Sequence, residues 1–179
     1  MSANVSRRLS CLRVRPLAAN CTRGWLTAGP FRIPCALGPA GVARLKREGD
    51  GATPAGRFRL LWGYFRPDRP RPRAAGVRLK PMRRDQGWCE DPSSPHYNRP
   101  VPLPAADCTD RMWRDDHLYD LSFALDQNFS RRAKGRGSAI FFHLARAGLT
   151  PTAGCVAISP SDMLKLAPRL ARGVVMDIG

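Results

Sequence analysis

Long hydrophobic runs are missing from this sequence. Its longest strongly apolar stretches, LLWGYF (60–65) and AIFFHLA (139–145), fall far short of the roughly 20 residues a helix needs to cross a bilayer, which excludes a helical transmembrane segment. The opening MSANVSRRLSCLRVRPL holds arginines but neither a continuous apolar region nor a small-residue cleavage site, so no secretory signal is expected there. Close cysteine pairs are missing as well. Cys11, Cys21, Cys35, Cys89, Cys108 and Cys155 are scattered without a CxxC, and reduced, buried cysteines are expected rather than a disulfide framework. Repeats and low-complexity tracts are absent. Acidic residues are scarce: 14 Asp and Glu stand against 30 Lys and Arg, a formal charge of +16. Such a surface attracts polyanions, whether nucleic acid, anionic lipid or an acidic envelope polymer, and charge alone does not choose among them.

What is present is enough for a core. A chain of 179 residues with 43% apolar content is read as one domain. Its 17 Pro and 16 Gly suit a fold rich in loops and strands. Strands are predicted at 10–16, 31–37, 57–65, 118–125, 138–145 and 174–178. In the first, Leu12 and Val14 alternate with Arg13 and Arg15. One helix is predicted over 159–173, capped by Ser159 and opened by Pro160, with Asp162 in its first turn. Met163, Leu164, Ala167 and Leu170 would form its apolar stripe, and Pro168 predicts a kink or early stop. Residues 66–114, crowded with Arg, Lys and Pro, read as a long basic loop in which Trp88, Tyr97 and Trp113 anchor parts of the chain.

Several chemistries compete for the polar residues. Cys89, His96, Cys108 and His117 lack the close ligand pairs of a structural zinc site, so no metal is expected. GRGSAI (135–140) lacks the third glycine of a dinucleotide fingerprint and reads as a turn entering a strand. The basic loop is able to contact phosphates, but no nucleic-acid-binding motif accompanies it. Thiol chemistry remains. His143 and Cys155 stand twelve positions apart, and an imidazole that takes the proton of a nearby thiol makes a strong nucleophile. Gly154 lets the backbone approach a substrate closely, and the amides of Gly154 and Cys155 are candidate oxyanion donors. A buried small hydrophobe beside a satisfied core histidine is the alternative.

Three blocks in order carry a resemblance. A histidine on a strand, His143, precedes Thr152-Ala153-Gly154-Cys155-Val156. REGDGATPAGRFRL (47–60) is similar to a Thr-Pro-x-Gly-x-Phe segment, and HLYDLSFALDQN (117–128) to a strand ending in Asn. Together they resemble the L,D-transpeptidase catalytic-domain family (the YkuD type) across most of residues 30–179. The resemblance implies a mainly β fold, a β-sandwich of mixed sheets with one short helix, forming a single catalytic domain over 1–179 with 66–114 as a long loop within it. It further implies Cys155 as nucleophile, His143 as general base, the backbone of Gly154 and Cys155 as oxyanion hole, and Thr152 as a substrate-contacting residue. The implied reaction is acyl transfer on peptidoglycan stem peptides, from a cysteine thioester to an amine or to water, without metal or organic cofactor. It places the protein in the periplasm or cell envelope, where a monomer is assumed; without a signal peptide the cytoplasm is the alternative. Two positions depart from the family pattern. Ala153 stands where a second histidine is common, and Ala157 where Asn or Arg is usual; an arginine elsewhere, such as Arg136 or Arg146, is a candidate replacement for the missing polar group. The rival reading is an inactive basic module of the same fold that binds a polyanion, nucleic acid or acidic envelope polymer.

Overall fold

Period-two alternation folds as it should. The computed structural model describes residues 8–74, 76–105 and 110–179; the first seven residues and Cys108 lie outside them. In β1 (Leu9–Leu17) Leu12 and Val14 are fully buried while Arg13 and Arg15 are exposed. An antiparallel meander follows, through β2 (Asn20–Ala28) to β3 (Phe31–Ala36). The sequence reading missed β2, whose polar start and central Gly24 hide the alternation. Gly24 is there because a Cβ would lie 2.6 Å from the carbonyl oxygen of Arg15 on the neighbouring strand. Two-residue segments, β4 (Val42–Ala43) and β5 (Thr53–Pro54), pair in parallel and lead the chain into β6 (Gly56–Phe65).

Residues 66–114 are more than a loop, which corrects the sequence reading. They contain β7 (Leu79–Pro81), parallel to β6, and a separate antiparallel sheet of β8 (Gln86–Cys89), β9 (Arg99–Pro102) and β10 (Asp110–Arg111), in the order β10-β8-β9. Prolines 100 and 102 concealed β9, yet on an edge strand a proline removes no essential ladder bond. Two of the expected aromatic anchors are fully enclosed here. Trp88 donates from Nε1 to Asn98 Oδ1 at 3.0 Å, and Tyr97 donates to Glu48. Half-buried Trp113 lies under the Arg66 guanidinium, 3.9 Å from the ring centre.

The second half of the chain returns to the large sheet. β11 (Leu121–Leu125) starts three residues later than predicted, because His117 turns the chain at φ 63° and Asp120 donates its amide to the His117 carbonyl. β12 (Phe141–Leu144) is shorter than predicted, since Ala139 sits at φ 51°. Asn128 closes the loop between them, bonding the chain at Ala133 and Gly137. A missed three-residue strand, β13 (Val156–Ile158), leads to α1 (Pro160–Leu166). The Ser159 cap holds as read, its Oγ accepting from the Asp162 amide at 3.1 Å. The early stop also holds: α1 ends at Leu166, and Pro168 lies in the 3₁₀ turn Ala167–Arg169. The stripe needs correction. Leu164 is 61% exposed and Leu166 takes its place in the core, while Leu170 already begins β14 (Leu170–Ile178).

The large sheet has nine strands in the order β11-β12-β13-β3-β2-β1-β14-β6-β7, and β6 also pairs with β11, so it closes on itself. Parallel pairs (β1 with β14, β12 with β13, β6 with β7) mix with antiparallel ones. The fold is thus mainly β, with mixed sheets and one short helix, as expected. Its inner face encloses one core including Leu12, Leu26, Phe123, Phe142, Val156 and Ile158, with α1 contributing Met163 and Leu166. Each such side chain contributes about 1.5–3 kcal/mol when fully buried. A second cluster forms on the outer face, where Tyr64, Trp88, Met112, Phe141 and Cys155 pack together.

Candidate functional site

Strand parity sets which side chains reach the outer face. β12 and β13 run parallel with Phe142 beside Val156 and His143 beside Ala157. Phe142 and Val156 therefore point inward, and His143, Ala157, Phe141 and Cys155 point outward. Cys155 lies diagonal to His143. Its thiol accepts from the Phe141 amide at 3.3 Å and donates to the Ala139 carbonyl at 3.3 Å. No hydrogen bond joins it to His143. The two side chains nevertheless line one cavity of about 320 Å³.

A backbone carbonyl orients the imidazole. His143 Nδ1 lies 2.8 Å from the Leu144 carbonyl oxygen, and a carbonyl only accepts, so Nδ1 carries the hydrogen and Nε2 is the basic nitrogen. Tyr119 stands edge-on to the ring at 5.3 Å between centres. Burial, reinforced by the Arg114 and Arg146 charges against the pull of the Leu144 bond, takes the imidazole down to about 4. The same burial pushes the Cys155 thiol up to about 12, against the Phe141 amide. Both groups rest neutral at pH 7.

The turn before the thiol is tightly determined. Thr152 Oγ1 donates to the Cys155 carbonyl at 2.7 Å and accepts from the Gly154 amide at 3.1 Å. Gly154 sits at φ 132°, and a Cβ there would lie 2.7 Å from the Ala52 carbonyl oxygen. Ala52 belongs to the Thr-Pro-x-Gly-x-Phe block. Asp50 holds that block in place by accepting from the Arg47 and Ala52 amides and pairing with Lys46. Thr53, fully buried, accepts from the Gly38 amide at 2.9 Å. The first and second sequence blocks thus meet at Gly154.

The cavity wall carries charges of both signs. Glu48, Glu90 and Asp110 line it together with Lys46, Arg114 and Arg146. Burial, with Asp110 and Glu48 nearby, raises Glu90 to about 7. Burial raises Asp110 also, while Arg114 opposes it. Arg114 donates to Asp116 at 2.6 Å and lies 3.7 Å from Asp110, and Arg146 reaches the same Asp116 at 2.9 Å. Of the arginines considered from sequence, Arg146 lines the cavity and Arg136 does not. Ala153 and Ala157 both line it, and their small side chains leave it open. Sequence reasoning missed Glu90, Asp110 and Arg114, which lie in the stretch read as loop. No local pattern marked them, since charge and proline crowd both flanks of GWCE.

Thiol chemistry has its parts here: a sulfur, a neutral base with a fixed tautomer, and room for an acyl group. Among the described residues, no three His, Cys, Asp or Glu side chains form a group able to hold a metal ion. Cys11, Cys21, Cys35 and Cys155 carry free thiols. Among the described residues, no helix is long and apolar enough to cross a membrane.

Residues 22–178 match the family model of the L,D-transpeptidase catalytic domain (YkuD). No curated protein matches the sequence. Among solved structures the chain is similar to L,D-transpeptidase 1 of Mycobacterium tuberculosis, at 12% identity and a TM-score of 0.39, covering 94% of this chain and 59% of that one. The chain therefore spans about three-fifths of the length of that protein.

Proposed function

The chain belongs to the L,D-transpeptidase catalytic-domain family, and on that premise we propose that it is a cysteine acyltransferase acting on peptidoglycan stem peptides at the cell envelope, built as one catalytic domain. The observation that carries the reading is the shared cavity of Cys155 and His143, with Leu144 holding the imidazole in the tautomer that leaves Nε2 basic. Cys155 is the nucleophile and His143 the general base.

As the sulfur attacks the carbonyl carbon of the third stem residue, Nε2 takes the thiol proton. The tetrahedral oxyanion is met by the backbone of Gly154 and Cys155. The Gly154 amide bonds Thr152 Oγ1, so it exchanges that bond for the oxyanion while Thr152 holds the turn through the Cys155 carbonyl. The peptide C–N bond then breaks, and the imidazolium returns its proton to the departing D-alanine amine. The stem remains as a thioester. An amine of a second stem, or water, attacks the thioester carbonyl and gives its proton to His143. The C–S bond breaks and the thiol is restored with that proton. Arg114 and Arg146 suit the stem's carboxylates, and Glu48 and Glu90 suit the incoming amine.

Intact-mass spectrometry after exposure to a carbapenem or a tetrapeptide stem tests this. A single acyl adduct mapping to Cys155 is expected, absent in Cys155→Ala and slowed ~10²–10⁴-fold in a His143 variant. A folded, reduced protein that forms no adduct refutes the assignment and leaves the polyanion-binding module.

A further inference from the structure

Outward parity continues far beyond the cavity. In register across five adjacent strands stand Arg32 on β3, Thr27 on β2, Arg13 on β1, Asp177 on β14 and Arg57 on β6. Beside this row, Arg15 pairs across strands with Trp25, and Val175 with Arg59. Neighbouring strands lie about 4.8 Å apart, so Arg32, Arg13 and Arg57 form a line of positive charge with steps of about 10 Å. All five of these arginines are exposed. Asp177, the one carboxylate on the row, pairs with Arg15 at 3.2 Å, and among the described residues no salt bridge engages Arg13, Arg32, Arg57 or Arg59. Trp25 is half-buried, with the Arg32 guanidinium 4.5 Å from its ring centre.

This face lies on the same side of the sheet as the cavity, with buried Ala36 between them. His143 aligns with Ala157, Ala157 with Ala36, and Ala36 with Arg23, stepping from β12 to β2 on the same outer surface. Arg23 reaches the chain beside the cavity by donating to the Gly148 carbonyl at 2.6 Å.

Resting on the function proposed above, we propose that this outer face is a docking track for the carboxylate-bearing peptidoglycan polymer, holding neighbouring stems and glycan while one stem occupies the cavity. Charge complementarity selects the partner class. Unpaired guanidiniums suit carboxylates, and a tryptophan flanked by arginines offers a flat surface to a sugar ring. The shared side of the sheet selects this polyanion over nucleic acid, because a stem in the cavity holds its own polymer near this surface. Track and cavity together bind as a multivalent pair.

The test uses the full chain and an Arg13→Gln/Arg32→Gln/Arg57→Gln variant. Co-sedimentation with insoluble peptidoglycan is measured at low and moderate salt, binding of a single-stranded thymidine oligonucleotide in parallel, and the carbapenem adduct at Cys155 in both proteins. The variant is expected to sediment about tenfold more weakly, with a flatter salt dependence and an unchanged adduct rate. An Arg→Lys version at the same three positions, which keeps the charge, sediments like the parent and shows that any loss is not misfolding. Equal sedimentation of parent and Gln variant overturns the track. So does a variant that loses only oligonucleotide binding, which would make the face a nucleic-acid surface. Absence of an adduct in the parent counts against the catalytic reading instead, and the sedimentation arm still judges the surface.

Discussion

The resting state of Cys155 can be probed by alkylation with iodoacetamide as a function of pH. A thiol raised from 9.0 to about 12 beside an imidazole lowered to about 4 differs from it by roughly 8 pK units, or about 11 kcal/mol for moving the proton across. Attraction between the resulting ions returns only about 4 kcal/mol at contact distance and an effective dielectric near 20. The ion pair thus lies some 7 kcal/mol above the neutral pair and is populated at about one part in 10⁵. Free thiolate is scarce as well. At pH 8 a thiol with a pKa of 9.0 is about 9% ionised and one with a pKa near 12 about 0.01%, a ratio near 10³. The higher intrinsic nucleophilicity of the more basic thiolate recovers roughly 20-fold.

Alkylation of Cys155 should therefore run about 50-fold slower than that of a small reference thiol at pH 8 and rise tenfold per pH unit to at least pH 10. Peptide mapping with isotope-coded iodoacetamide follows that one site against the other cysteines. Acylation by a stem peptide or carbapenem should behave differently, because His143 removes the proton during attack. Its rate should rise through about pH 4 and stay level above pH 6, since the neutral imidazole is already present. Alkylation at Cys155 that plateaus below pH 8 would show a resident thiolate–imidazolium pair and refute the argument.

Other perturbations follow from the same geometry. Gly154→Ala forces a Cβ against the Ala52 carbonyl at 2.7 Å and onto a φ of 132°, costing about 2–3 kcal/mol and lowering the thermal midpoint by about 4–12 °C; an unchanged midpoint would mean the turn is not fixed there. Thr152→Ala removes the hydroxyl that spans the Gly154 amide and the Cys155 carbonyl, so adduct formation at Cys155 should slow by about tenfold for the ~1–2 kcal/mol lost, and Thr152→Ser should restore most of the rate. Glu90 is raised by burial from 4.5 to about 7, so the folded state binds more protons than the unfolded chain between those values, and stability must fall as pH rises through that window. Melting curves from pH 4 to pH 8 should show this decline, and Glu90→Gln should flatten it; an identical slope in the variant would assign the effect to another group.

Legibility in the sequence followed the length and periodicity of each segment. β1, β3 and β6 were readable because six or more residues alternate or run apolar between turn signals. β13 was not, because three residues of VAI carry no period. β2 was lost to Gly24, whose absence of a side chain answers a contact on a different strand. The sheet at β8–β10 was hidden by charge and proline, and its Gln86 and Trp88, with Met112 just beyond β10, are held by non-local contacts that no local pattern encodes. Those same contacts bring Glu90, Asp110 and Arg114 to the cavity. The charged wall therefore stayed invisible while Cys155, His143 and Gly154 stood out. The orienting group of His143 was invisible for another reason: it is the carbonyl of Leu144, and a backbone atom leaves no mark in a sequence.

Parity bears on whether Cys155 is core filler or a site residue. In Cys155-Val156-Ala157-Ile158 the valine and isoleucine are fully buried in the inner core, while Cys155 and Ala157 face outward. A one-residue slip of β13 would exchange the two pairs, placing two small side chains in a core built for large ones and two β-branched side chains in the cavity. Val156 and Ile158 resist that slip, so apolar residues with no chemistry of their own hold the thiol on the outer surface. The burial that raises its pKa comes from a different source, the aromatic cluster of Trp88, Phe141 and Tyr119 between the two sheets. Position and reactivity are thus set by separate parts of the chain. A truncation of Val156 to alanine should cost about 0.5–3 kcal/mol of stability yet leave the pH dependence of Cys155 alkylation unchanged. Truncating Trp88 admits water, and the alkylation profile should then shift to lower pH. If both variants moved the profile equally, thiol position and thiol acidity would not be separable in this fold.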